Sequence, residues 1–88
     1  CIQRDWKMTD AYIEKGIIFF ERKDFDEALK TFTLAATVSN TDPDAYFWMG
    51  RCYESMNEAE QAAVNYERAY ALDRSFAEAR EALKRINR

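Results

Sequence analysis

Cys52 is the side chain best suited to nucleophilic chemistry, yet the 88-residue chain holds no histidine to take its proton. A thiol with neither a base nor a metal is poorly activated at neutral pH, so Cys52 reads as a small buried apolar residue on a helix. The lack of histidine also removes the commonest metal ligand and acid–base group. Two cysteines, Cys1 and Cys52, are too few for a disulfide framework. The carboxylates are spread at helix-surface spacing among basic residues, as around Glu67, Arg68 and Asp73, and no glycine-rich phosphate loop is present. Catalysis, a metal and a cofactor are therefore not expected. Apolar recognition is the chemistry the sequence does supply. Residues 45–49 read Ala-Tyr-Phe-Trp-Met, and one helix face cannot bury all of such a run.

Net charge is −3, which argues against a nucleic-acid footprint. No apolar run approaches the roughly 18 residues of a membrane span, and no signal peptide is visible. The chain opens on Cys rather than Met, which reads as a processed product or an excised fragment. A cytoplasmic setting is favoured, with a lipid-anchored or periplasmic one if Cys1 is a mature N-terminus.

Two glycines and one proline in the whole chain point to long helices joined by short turns. Asp42 before Pro43 reads as an N-cap with proline in the first turn. Asp24 with Glu27, and Ser75 with Glu78, look like capping boxes, and Asn57 suits a left-handed turn. The spacing predicts five helices over 10–22, 25–39, 43–56, 58–72 and 76–87.

These elements repeat. Gly16 and Gly50 lie 34 residues apart, and at that offset Asp10, Ala11 and Tyr12 match Asp44, Ala45 and Tyr46, while Ala28 and Ala35 match Ala62 and Ala69. Phe19 pairs with Tyr53, Phe32 with Tyr66 and Val38 with Leu72. The pattern Tyr12, Gly16, Phe19, Ala28, Phe32, Ala35, repeated as Tyr46, Gly50, Tyr53, Ala62, Tyr66, Ala69, resembles the tetratricopeptide repeat family over about residues 9–88. Small residues let the two helices of a hairpin approach closely, and aromatics fill the gaps between hairpins. Lys15 and Met49 depart from the family's leucine, and Asn40 and Arg74 from its usual proline. The resemblance implies an all-α, right-handed solenoid of two helix-turn-helix repeats (9–42 and 43–76) and a C-terminal capping helix over 76–87. Residues 1–8 are expected to be a lead-in or the tail of a preceding helix. In the last helix Ala79, Leu83 and Ile86 form one apolar stripe and Lys84 stands at the glycine position, as suits a solvent-facing cap.

At 100° per residue, Ala45, Tyr46, Met49, Cys52 and Tyr53 form the expected core half of their helix, and Ala11, Tyr12, Ile18 and Phe19 that of the first. Ile13, Ile17, Phe20, Phe47, Trp48 and Arg51 fall on the other half. In the resembled family this half lines the concave side, so these six are the expected partner-binding groove. The expected function is a non-enzymatic protein–protein interaction module: an adaptor, chaperone-like domain or scaffold. Its partner would be a peptide or protein with apolar or aromatic anchors. Family members that clamp the acidic C-terminal tails of heat-shock chaperones use Lys, Asn and Arg where this chain has Ile13, Ile17, Trp48, Glu78 and Ala82, which argues against such a ligand. The competing reading is a homodimer or structural module whose groove is filled by a second copy or by residues 1–8. With Gly50 in the helix contact and Trp48 off the core half, Gly50→Leu is expected to destabilise the fold through overpacking and Trp48→Ala is not.

Overall fold

The computed structural model describes the backbone of residues 3–38 and 41–86, with side chains from residue 11 onward in those stretches. Five helices follow one another: α1 Gln3–Glu21, α2 Phe25–Val38, α3 Pro43–Ser55, α4 Ala59–Leu72 and α5 Ala77–Ile86. Local chemistry sets their ends. The Asp42 carboxylate accepts the Asp44 N–H at 3.0 Å with Pro43 in the first turn, which satisfies a donor that the helix itself leaves open. Ser75 does not cap α5 as expected: its hydroxyl donates to Asp73 Oδ1 at 2.6 Å and its N–H to the same oxygen at 3.1 Å. The hydroxyl is thereby committed to a turn, and Phe76, whose carbonyl accepts the Arg80 N–H at 3.2 Å, opens the helix. Helix α1 begins at Gln3, so residues 3–8, expected as a lead-in or the tail of a preceding helix, are continuous with α1. Cys1, Ile2 and Asn40, and the side chain of Trp6, lie outside the described residues.

The turns that close the hairpins α1–α2 and α3–α4 are copies. Lys23 and Asn57 take φ of 69° and 65°. Asp24 N–H donates to Phe19 O at 2.9 Å and Glu58 N–H to Tyr53 O at 2.8 Å, with Lys23 N–H to Phe20 O at 3.0 Å and Asn57 N–H to Glu54 O at 3.1 Å. This crossed pair of bonds around a left-handed residue stops a helix abruptly and turns the chain back. Asn57 carries the expected signal; Lys23, at the same place in the first repeat, does not.

Inside each hairpin the glycine answers an aromatic ring. A Cβ on Gly16 would lie 2.5 Å from the Phe32 ring and one on Gly50 2.8 Å from the Tyr66 ring. Phe32 and Tyr66 are among the largest fully buried side chains. The buried polar residues also repeat: Thr31 Oγ1 donates to Glu27 O, and Asn65 Nδ2 to Gln61 O, each at 2.9 Å. Both groups are satisfied within their own helix and demand nothing of a neighbour. Helix α2 packs on α3 and α4 on α5, so the hairpins and the last helix form a stack of 45 × 29 × 16 Å.

The faces of α1 and α3 differ from the helical-wheel expectation in two ways. Ile18, expected in the core, is 53 % exposed, and Ala11 is exposed as well. Their counterparts Cys52 and Ala45 are fully buried because α2 covers that side of α3, and no described helix covers the same side of α1. Conversely, the apolar residues expected on an open flank are all half-buried: Ile13, Ile17, Phe20 and Trp48 pack on the cluster of Ala28, Phe32 and Cys52, and Phe47 packs on that of Ala62, Tyr66 and Ala82. Trp48 stacks on Phe32 with ring centres 5.7 Å apart and meets Phe20 edge-on at 5.6 Å. The first faces of α1 and α3 come close enough to share a layer that a single-helix wheel does not contain.

Candidate binding groove

Position 48 on α3 holds Trp, and its counterpart on α5 is Ala82. Between the hairpins the indole fills the junction above Phe32. Between α3 and α5 the same place holds a methyl group, and a groove of about 430 Å³ opens there, lined by Phe20, Phe47, Arg51, Glu54, Tyr66 and Ala82 together with Ser55, Ala77, Glu78, Glu81 and Arg85. Three of the six expected residues, Phe20, Phe47 and Arg51, line it. Ile13, Ile17 and Trp48 lie behind it in the packed layer.

An aromatic group forms the floor. Phe47 meets Phe76 at 4.9 Å, Tyr66 at 5.6 Å and Trp48 at 6.0 Å. Arg51 reaches across it, its guanidinium carbon 4.9 Å from the centre of Trp48, 5.4 Å from Phe20 and 5.8 Å from Phe47. A flat, weakly hydrated cation over ring faces is a favourable pairing.

The second wall is polar and was missed by the helical wheel. Arg85 donates to both carboxylate oxygens of Glu54 at 2.7–3.2 Å, and the Tyr66 hydroxyl donates to Glu54 Oε1 at 2.7 Å. Partial burial pushes the Glu54 carboxyl up, but the Tyr66 and Arg85 hydrogen bonds and the charges of Arg85 and Arg51 outweigh it and hold the group below the usual carboxylate range. Burial, together with the adjacent Glu54 carboxylate, raises the Tyr66 phenol well above its usual value. The signal was present in the repeat offset: Glu54, Tyr66 and Arg85 stand 34 residues after Phe20, Phe32 and Arg51. An arginine on the following helix thus covers a ring in one junction and a carboxylate in the next.

Cys52 is fully buried, and burial pushes its thiol up to about 12, partly opposed by Arg51, so it is a neutral thiol at physiological pH. Among the described residues no group of three His, Cys, Asp or Glu side chains is placed to hold a metal ion, and no helix is long and apolar enough to cross a membrane.

Paired antiparallel helices repeating every 34 residues, each glycine set against the aromatic of its partner helix, define a helical-hairpin solenoid domain. A Tetratricopeptide repeat family model matches residues 19–86, and the chain belongs to that family. It is similar to the Protein SGT1 homolog of Bos taurus (30 % identity over 62 residues, 70 % of this chain and 18 % of that protein). It is also similar to the Peroxisomal targeting signal receptor of Eremothecium gossypii (31 % over 71 residues, 81 % and 12 %). The chain thus spans less than a fifth of the length of these relatives. Among solved structures, the second TPR of Spaghetti (RPAP3) bound to the HSP90 peptide SRMEEVD superposes with a TM-score of 0.91 at 16 % identity, over 98 % of this chain and 80 % of that one. MamA superposes with a TM-score of 0.86 at 24 % identity, over 89 % and 46 %. At these identities the likeness is one of fold.

Proposed function

We propose that the chain is a non-enzymatic protein–protein interaction module that holds a peptide segment of a partner in the groove between α3 and α5. The observation that carries this reading is the groove itself, whose volume of about 430 Å³ lies within the range of small-ligand sites. Its half-buried rings, Phe20 and Phe47, are flanked by charged groups that supply orientation. Two neighbours of the fold carry an HSP90 peptide in their solved complexes, which supports peptide binding as the kind of task this scaffold performs. Those complexes also mean that the exclusion of an acidic chaperone tail gains no support from the comparisons; the peptide SRMEEVD is a necessary probe.

The test is a titration of ¹⁵N-labelled protein with candidate peptides, followed by amide shift mapping. Shifts clustered on Phe47, Arg51, Ala77 and Glu81 are expected, together with loss of binding in Ala77→Arg, a change at an exposed wall position. Shifts confined to the outer faces of α2 and α4 would place the binding surface elsewhere. Sedimentation of the free protein addresses the competing reading: a dimer split by Ala77→Arg would make the groove a self-association surface.

A further inference from the structure

Resting on that reading of the groove, we infer that its ligand is a peptide with one aromatic or large aliphatic anchor flanked by basic side chains. The anchor follows from the internal repeat. At the first junction the stack fills the space between successive hairpins with its own indole, Trp48, seated among Phe20, Phe32 and Phe47. At the second junction Ala82 stands in that place, and the unfilled volume is the groove. A partner's ring entering over Phe47, Ala77 and Ala82 supplies from outside what Trp48 supplies from within. Tyr66 is 1 % exposed beneath Phe47 and the Glu54–Arg85 pair, so the anchor rests on those covering groups and not on the phenol ring.

The flanking charge follows from what the groove leaves uncompensated. Three carboxylates line it, Glu54, Glu78 and Glu81, against two arginines. Arg85 is held by Glu54, and Arg51 lies over three rings. Glu78 and Glu81 sit three residues apart on the exposed face of α5 and make no ion pair among the described residues. The α5 wall is therefore the negative side of an apolar notch. A ligand acid placed there meets like charge, and a ligand Lys or Arg meets two open carboxylates.

The experiment uses fluorescein-labelled Ser/Gly peptides read by anisotropy against the whole chain. One has a central Phe between lysines, the second replaces Lys by Glu, the third replaces Phe by Ser, and SRMEEVD is the fourth. The Phe/Lys peptide is expected to bind best, roughly fivefold to tenfold over the Phe/Glu peptide at low salt and less as salt rises. Charge reversal in Glu78→Lys with Glu81→Lys, at exposed positions, is expected to invert that order, and Ala77→Trp to abolish binding of every peptide. A Phe/Glu peptide or SRMEEVD binding as tightly as Phe/Lys, yet lost in Ala77→Trp, would overturn the inference and leave the groove standing. Equal binding of the Ser-substituted peptide would overturn the anchor. Failure of all four peptides on wild-type protein would overturn both the inference and the groove reading.

Discussion

Gly16 and Gly50 show where a single atom decides stability. In a helix, Gly→Ala gains up to about 1 kcal/mol of propensity. Here the added Cβ would meet the Phe32 ring at 2.5 Å or the Tyr66 ring at 2.8 Å, and both rings are fully buried and hemmed in. Overpacking of this kind costs roughly 1–3 kcal/mol, so the clash wins. Gly50→Ala is expected to lower the melting temperature by several degrees and Gly50→Leu by more; truncating the opposing ring together with Gly16→Ala should recover part of the loss in a double-mutant cycle. Glu54 gives a second prediction at this scale. Its folded-state pKa lies below its unfolded value, so its contribution is present above the unfolded pKa and is lost as pH falls through the folded one. Wild type should therefore exceed Glu54→Gln in melting temperature at pH 7, and the gap should close as the pH is taken below the carboxylate range. A gap that stays constant down to acid pH would show that the Tyr66 and Arg85 contacts do not depend on the charge.

At the scale of the element, the two hairpin turns have the same backbone and different residues at its strained point. Asn57 tolerates the left-handed region through its short polar side chain, whereas Lys23, at φ 69°, has no such compensation. Lys23→Gly is expected to stabilise the protein by about 1 kcal/mol, less the entropy that glycine adds to the unfolded chain; Asn57→Gly should change it less. Thermal melts of the two variants check this, and a loss in Lys23→Gly would mean that the lysine makes contacts outweighing the backbone strain. The turn at Asn57 was legible because asparagine and the flanking helical patterns agree. The turn at Lys23 was legible through the Asp24–Glu27 helix start and its register with Asn57, not through the lysine itself.

At the scale of the whole molecule, Trp48 joins the hairpins. In a stack where each unit touches its neighbours, stability is a sum of unit and interface terms, and the interface between hairpins holds this indole against Phe20 and Phe32. The sequence-based expectation that Trp48→Ala leaves stability untouched gives way to an expected loss of roughly 2–3 kcal/mol, below the full cost of a buried tryptophan because the ring is half-buried. Unfolding of the variant should also become less cooperative, with helical signal and aromatic environment melting at different temperatures. Coincident transitions and an unchanged midpoint would return Trp48 to the open flank.

Much of the protein is written in its order of residues. The offset of 34, the pairing of Gly16 with Phe32 and of Gly50 with Tyr66, and the Asp42–Pro43 start are local or periodic features, and local backbone chemistry with close packing inside one hairpin is enough to read them. The surface is another matter. Which flank of α1 and α3 is covered depends on a neighbouring helix many residues away. Ile18 is exposed where Cys52 is buried, and Trp48 packs half-buried on Phe32 where Ala82 leaves a groove. A wheel describes one cylinder in isolation, and the position of the groove is a property of where successive cylinders meet, which depends on packing between helices distant in the chain.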